Sequence, residues 1–264
     1  MTLIVSASAR TITGRRRRNE DAYVLDPTLG LFVVLDGMGG YQGGEVASRV
    51  GANSIAEFYA HVADDPEATW PYALDPRRSH AENQVDAAIR LANRRIRGRR
   101  QGELRDMGAT VALLSLSNGG AVIGHLGDSR IYRLRRGGGA PSLELLTCDH
   151  SLYEALRASG ADLPPLAEFP HHNVITRALG VHEDEHPDTQ RLELGADDRF
   201  LLCTDGLSGA LDDAVIAAAL AELTIEEVAE RLVEMAYDAG SRDNITVVVV
   251  DVRRGRGRAA AAGA

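Results

Sequence analysis

Apolar positions along the chain fall into two kinds of run. Short stretches rich in β-branched residues occupy 31–35, 110–116, 121–126, 131–134, 200–203 and 245–252, with a shorter one at 23–25. Their length and composition predict β-strands. Apolar residues spaced three and four apart predict helices over 45–62, 85–97, 151–159, 212–223 and 225–237. Thr224, with Glu227 three residues on, is the expected N-cap of the last helix, and Gly240 follows its end. Two stretches carry three prolines each and no period: 64–80 predicts an insertion loop and 160–173 a mobile flap. Residues 253–264, ending in Ala and Gly, predict a flexible tail. Strands arrive in adjacent groups instead of alternating singly with helices, so the pattern predicts an α+β sandwich with largely antiparallel sheets.

Length, charge and cysteine content narrow this further. The 264 residues suffice for one buried core and are too few for two enzymatic domains with a linker, so residues 1–252 are expected to form a single domain. No apolar run approaches the roughly 20 residues of a membrane helix. The first ten residues lack a basic region followed by an apolar one, so no secretory leader is expected. Cys148 and Cys203 are too few for a disulfide framework and suit a reducing, cytoplasmic setting. Cys203, in a strand predicted to be buried, reads as a core thiol. The 38 acids outnumber 29 bases, every one an arginine, for a net charge of −9. An acidic chain is a poor partner for nucleic acid. The predicted helix over 85–97, followed by Gly98-Arg99-Arg100, is basic along one side, which suits either a solvated face or a docking surface.

The acids are not scattered. Asp36-Gly37, Gly127-Asp128-Ser129, Asp205-Gly206 and Asp243-Asn244 each sit where a predicted strand begins or ends, and Glu20-Asp21 precedes the short strand at 23–25. One Asp-Gly pair is ordinary turn chemistry. Several at one end of a sandwich would repel one another unless a cation neutralised them. Carboxylate and carbonyl oxygens are hard ligands suited to Mg²⁺ or Mn²⁺, and no Cys or His spacing points to zinc. The turn after Asp36 would leave the Gly37 carbonyl free to face such an ion, and the cluster as a whole is a candidate two-metal hydrolytic site. A phosphoryl group would need a cation of its own, and the run Arg15–Arg18 lies directly before Asn19-Glu20-Asp21. One of these guanidiniums could grip phosphate with two parallel hydrogen bonds while the others stay solvated; their spacing leaves open which.

These residues resemble a known family. Arg16-x-x-Asn19-Glu20-Asp21 and Asp36-Gly37-Met38-Gly39-Gly40 are similar to the opening motifs of the metal-dependent protein serine/threonine phosphatases, the PPM or type 2C family. The resemblance continues through Gly108-Ala109-Thr110, Gly127-Asp128-Ser129-Arg130, Thr147-x-Asp149-His150-Ser151 and Thr176-Arg177-Ala178-Leu179-Gly180. It closes with Thr204-Asp205-Gly206-Leu207-Ser208 and Ser241-Arg242-Asp243-Asn244-Ile245-Thr246, in the family's order over about residues 10 to 252. It implies a four-layer α-β-β-α sandwich, two central and mainly antiparallel sheets flanked by helices. It also implies hydrolysis of phosphoserine and phosphothreonine by direct attack of a metal-bridging hydroxide, with no phosphoenzyme. Asp36 would bridge two Mn²⁺ or Mg²⁺ ions, Asp205 and Asp243 would complete the first, and the Gly37 carbonyl would serve the second. Glu20 and Asp21 would act through metal-bound water, Asp128 with Asp205 would hold a third metal, and Arg16 would bind the substrate phosphate. Residues 152–173 correspond to the family's variable flap. The implied partners are phosphorylated proteins, with a Ser/Thr kinase as counterpart, and the chain is expected to act as a cytoplasmic monomer.

Two positions depart from the pattern. Met38 stands where animal members carry the His proposed to protonate the leaving oxygen, which leaves a water on the third metal or His150 as candidate acids. Ala109 stands where the family usually has a small hydroxyl residue or another small residue, with little effect expected. Two other readings fit less well. A phosphatase with an aspartate nucleophile needs Asp-x-Asp, and Asp36-Gly37-Met38 lacks the second Asp. A regulatory module that has lost its chemistry would lack a metal aspartate or the phosphate arginine, and every matching position here is filled.

Overall fold

The computed structural model describes residues 3–40, 42–117, 120–136 and 141–254. Two five-stranded antiparallel sheets form its centre. In one the order is β1 (Leu3–Ile12), β12 (Ile245–Arg254), β11 (Asp197–Cys203), β8 (Arg130–Arg135) and β9 (Ser142–Leu145). In the other it is β10 (Asp188–Leu192), β7 (Gly120–Leu126), β6 (Val111–Ser117), β3 (Leu31–Leu35) and β2 (Ala22–Asp26). A short ladder joins β4 (Gly37–Met38) to β5 (Gly108–Ala109).

The unbroken apolar runs of the inner strands are explained by burial on both faces. Side chains alternate across a strand, so Leu31, Val33 and Leu35 of β3 pack with Ile55 and Ile89 of α1 (Gly43–Asp64) and α2 (His80–Arg97). Phe32 and Val34 face the other way and meet Phe200, Leu202 and Val248 between the sheets. On β12 the parity is the same: Val248 and Val250 turn to the inter-sheet core, while Val247 and Val249 lie under α5 (Asp213–Glu222) and α6 (Ile225–Asp238). Each such side chain, fully buried, contributes roughly 1.5–3 kcal/mol. The result is helices, sheet, sheet, helices, the four layers the resemblance implied.

Differences from the sequence-based expectations have identifiable causes. The strands that escaped prediction as wholes, β1, β9 and β10, are all sheet edges, where half-exposure lets polar residues interrupt the pattern. Helix α2 begins five residues earlier than its apolar period because Ser79 and Glu82 close a reciprocal capping box. Helix α6 starts as expected after Thr224, but the Thr224 hydroxyl bonds Glu227 Oε2 at 2.9 Å and caps no amide. The stretch at 64–80 is a loop, fastened by Trp70 edge-on to Phe58. Arg253 and Arg254, expected to begin a tail, instead pair with β1; the rest of the predicted tail, residues 255–264, lies outside the described residues. The predicted strand at 110–116 is interrupted at Thr110, which leaves its ladder to hold Asp36.

Candidate metal centre

Six carboxylates stand at strand ends that converge on one edge of the sandwich. Glu20 and Asp21 precede β2, Asp36 follows β3, Asp128 lies between β7 and β8, Asp205 opens the short helix α4 (Asp205–Ser208), and Asp243 precedes β12. The backbone holding them is knitted across the sheets. Thr110 accepts the Asp36 amide on Oγ1 at 3.0 Å, donates its own amide to the Asp36 carbonyl at 2.8 Å, and shares a 2.7 Å hydroxyl bond with Ser129. Asn244 accepts the Glu20 amide and donates to the carbonyls of Thr13 and Arg18, tying the first acidic segment to the last. Gly206 is required where it stands, since a Cβ there would lie 1.9 Å from the Asn244 carbonyl oxygen.

Electrostatics set this cluster apart. Asp36 feels Asp21, Asp205, Asp128 and Asp243, and burial followed by that repulsion holds its carboxyl well above the usual range. Burial lifts Asp21 and Asp128 to about 7, and it raises Asp205 and Glu20 as well. The Asp205 carboxyl lies in hydrogen-bond contact with that of Asp36. Asp21 Oδ2 is satisfied by the hydroxyls of Thr246 at 2.6 Å and Thr204 at 3.0 Å. The buried oxygens Asp21 Oδ1, Asp128 Oδ1 and Asp205 Oδ1 have no hydrogen-bond partner among the described residues. Buried polar atoms without partners are rare and costly. Three of them on neighbouring acids, all oxygen, form a donor set that fits a hard divalent cation.

Glu20 accepts the amide of Glu45 in the first turn of α1, so its carboxylate caps that helix. A Cβ on Gly44 would stand 2.7 Å from the Gly37 carbonyl oxygen and 2.8 Å from Glu20 Oε1, which sets those two oxygens side by side. Arg16 reaches the cluster but bonds Asp243 Oδ2 at 2.6 Å instead of standing free above it. Its side chain remains 57% exposed, so it can swing away. Arg15, expected to be solvated, is anchored to the carbonyls of Tyr237 and Gly240 and lies over the Tyr237 ring.

His150 is not placed as a proton donor. Its side chain is 10% exposed, Nδ1 accepts the Gly127 amide at 3.1 Å, and Nε2 faces Asp188 Oδ2 at 3.2 Å. Burial, then His125 and Arg177, push its pKa below the ordinary value, so the ring is neutral at pH 7. Sequence reasoning missed the pairing of Arg130 with Asp149, a fork of 3.0 and 2.7 Å that joins two of the motifs. Opposite charges within those motifs were its only signal. A cleft of about 570 Å³ opens over Asp128, Asp205 and Asp243, walled by His172, Asn173 and Arg242.

Comparison with known proteins places this geometry in context. The family model described as Protein phosphatase 2C matches residues 13–239. The chain is 36% identical over 256 residues to the serine/threonine protein phosphatase PstP of Mycobacterium tuberculosis, covering 96% of this chain and 46% of that protein. It thus spans about half the length of that relative. Protein phosphatase PhpP of Streptococcus pneumoniae is 28% identical, with 93% of this chain and 96% of its own length covered. The crystal structure of the PstP catalytic domain in complex with two manganese ions superimposes with a TM-score of 0.79 at 34% identity, over 96% of this chain and all of that one.

Proposed function

The chain belongs to the protein phosphatase 2C family, and from that premise we propose that it is a metal-dependent phosphatase hydrolysing phosphoserine and phosphothreonine in proteins. The observation that carries the reading is the trio of buried carboxylate oxygens on Asp21, Asp128 and Asp205, without hydrogen-bond partners among the described residues, gathered around Asp36. Asp36, Asp205 and Asp243 with the Gly37 carbonyl would hold two Mn²⁺ or Mg²⁺ ions. Glu20 and Asp21 would act at their outer side, and Asp128 with Asp205 would hold a third. When bound, the metals supply a water acidic enough to attack phosphorus at neutral pH and charge to offset that of the phosphoryl group.

The chain's own residues do the rest. Arg16 exchanges Asp243 for the phosphate and fixes its orientation with two parallel hydrogen bonds. The Thr110, Thr204, Thr246 and Asn244 hydrogen bonds keep the acids from drifting as charge redistributes. Met38 has no proton to give and both ring nitrogens of His150 are engaged, so the leaving oxygen takes its proton from water in the open cleft. Residues 152–173 form the flap of one catalytic domain. The substrates are phosphoproteins, with a Ser/Thr kinase as counterpart, and the protein works as a cytoplasmic monomer. Among the described residues no helix is long and apolar enough to cross a membrane.

The test is hydrolysis of a phosphothreonine peptide by wild type and Asp205→Asn, with Mn²⁺ and with EDTA. Turnover that requires Mn²⁺ and falls by about 10²-fold or more in the variant is expected. Manganese binding without turnover would refute the enzymatic reading, and absence of binding would refute the metal site itself.

A further inference from the structure

His150 stands at the meeting point of three segments, and its contacts there are unusually complete. Its amide donates to the Gly127 carbonyl at 2.9 Å while its Nδ1 accepts the Gly127 amide, so one residue clasps both polar groups of the glycine that precedes Asp128. Its carbonyl accepts the Thr176 amide at 2.8 Å, Ser151 bridges to Ile175, and the Leu152 amide donates to the Val174 carbonyl. The chain thus leaves for the flap and returns from it at His150. The ring itself is fixed by stacking on His125, 4.6 Å between centroids, and by Asp188.

The turn it clasps has little freedom elsewhere. Gly127 has φ +105°, and a Cβ there would meet Thr110 at 2.6 Å. On the far side of Asp128, Ser129 is bonded to the same Thr110 that holds Asp36. Asp128 is therefore strung between two anchors, Thr110 on one side and His150 on the other.

His125, His150 and Asp188 also lie close enough together to suggest a cation site of their own. The hydrogen bonding argues against it. A backbone amide can only donate, so Nδ1 is the acceptor and the neutral ring carries its proton on Nε2, leaving no lone pair for a metal. The Nε2 proton is directed at Asp188 Oδ2, and the Arg177 guanidinium, 2.7 Å from Asp188 Oδ1 and 2.9 Å from Glu185 Oε1, already supplies the positive charge there.

We propose that His150 is a positioning residue that, through its paired bonds to Gly127, holds Asp128 in the acidic cluster and links that placement to the root of the flap. The inference rests on the phosphatase reading for the role of Asp128, and on hydrogen-bond geometry alone for the clasp.

The experiment compares His150→Asn, His150→Gln and His150→Ala. Asn can still offer Oδ1 to the Gly127 amide; Gln places its amide near the position of Nε2 and leaves Gly127 unpaired; Ala removes both. Amide exchange of Gly127, read by NMR on protein in EDTA, is expected to stay protected in the Asn variant and to speed by about tenfold in the other two. With Mn²⁺ and a phosphothreonine peptide, kcat is expected to fall about 10-fold or more in Gln and Ala, with KM little changed and Asn largely rescued. Adding Asp128→Asn to His150→Ala is expected to cost no more than Asp128→Asn alone. Unchanged Gly127 exchange in Ala, an Asn variant no better than Ala, or additive losses would each overturn the proposal. Should Ala fail to fold, the contrast between Asn and Gln decides. A wild type without turnover would sink the phosphatase reading and with it the kinetic role, while the exchange data still report on the clasp.

Discussion

Stripped of divalent cations, the protein should lose stability as pH rises from about 4 to about 7, opposite to the usual behaviour of carboxylates paired with bases. Asp21 and Asp128 hold a proton up to about 7 in the fold, against 3.8 for an ordinary Asp. Across that interval the folded state binds protons that the unfolded chain has released, so stability declines with pH. The gap of about three pH units corresponds to about 4 kcal/mol for one such group. The two groups do not add, because both feel Asp205. His125 and His150 act in the opposite sense: burial lowers their pKa below 6.5, so the stability they contribute is present above 6.5 and is lost as pH falls from there through their lower folded-state values. The clean measurement is therefore a difference. Urea unfolding in EDTA at several pH values between 4.5 and 8 (about the span of the titrations) is compared for wild type and Asp128→Asn, at constant ionic strength. Asp128→Asn should be the more stable of the two at the upper end, with a shallower decline, and Mn²⁺ should raise wild-type stability more at high pH than at low. A wild type whose stability holds level with that of Asp128→Asn across the whole range would mean that Asp128 is ionised and comfortably hydrated, and the argument for a cation-seeking cluster would fail.

Further outcomes follow from single contacts. Arg16→Ala should lower kcat/KM by about 10²-fold, and Arg16→Lys should recover only part, since an ammonium cannot form the two parallel bonds; steady-state kinetics on a phosphopeptide reads this, and a change under about twofold would remove Arg16 from the phosphate. Arg199 is 2% exposed, bonds both oxygens of Asp251, and donates to the carbonyls of Leu220 and Leu223 at the end of α5. Arg199→Ala should therefore cost about 3–5 kcal/mol in urea unfolding, and a loss below about 1 kcal/mol would show that Arg136, the other partner of Asp251, takes over. Gly206→Ala should destabilise by about 1–3 kcal/mol and raise the Mn²⁺ concentration needed for half activity, because the start of β12 must move and Asp243 with it; calorimetry and a metal titration check both.

What could be read from the chain before folding follows its local physics. The inner strands were legible because burial on both faces demands continuous apolar residues, as in 31–35 and 245–252, whereas β1, β9 and β10 sit at edges where Ser, Thr, Asp and Glu are tolerated. Helix α1 was legible by period, but the first turns of α2 were set by the Ser79–Glu82 box instead.

The acidic cluster was legible for a related reason: an Asp at the end of an apolar strand is a sequence-local feature, and in a sandwich those ends must gather somewhere. Its partners were not, because no periodicity links residues that meet only once the layers close. Arg16 finds Asp243 across 227 positions, Arg130 finds Asp149 across 19, and the Gly127 amide finds His150 across 23. The distinction bears on how the site works. Acids that repel one another gain nothing from proximity by themselves, so the fold must impose it. The imposing contacts are the long-range ones: Thr110 on Asp36, Asn244 on Glu20, Thr204 and Thr246 on Asp21, and His150 on the turn of Asp128. A substitution among these partners should thus disturb cation binding while leaving every carboxylate in place. That separates the residues which carry the charge from those which compel it to gather.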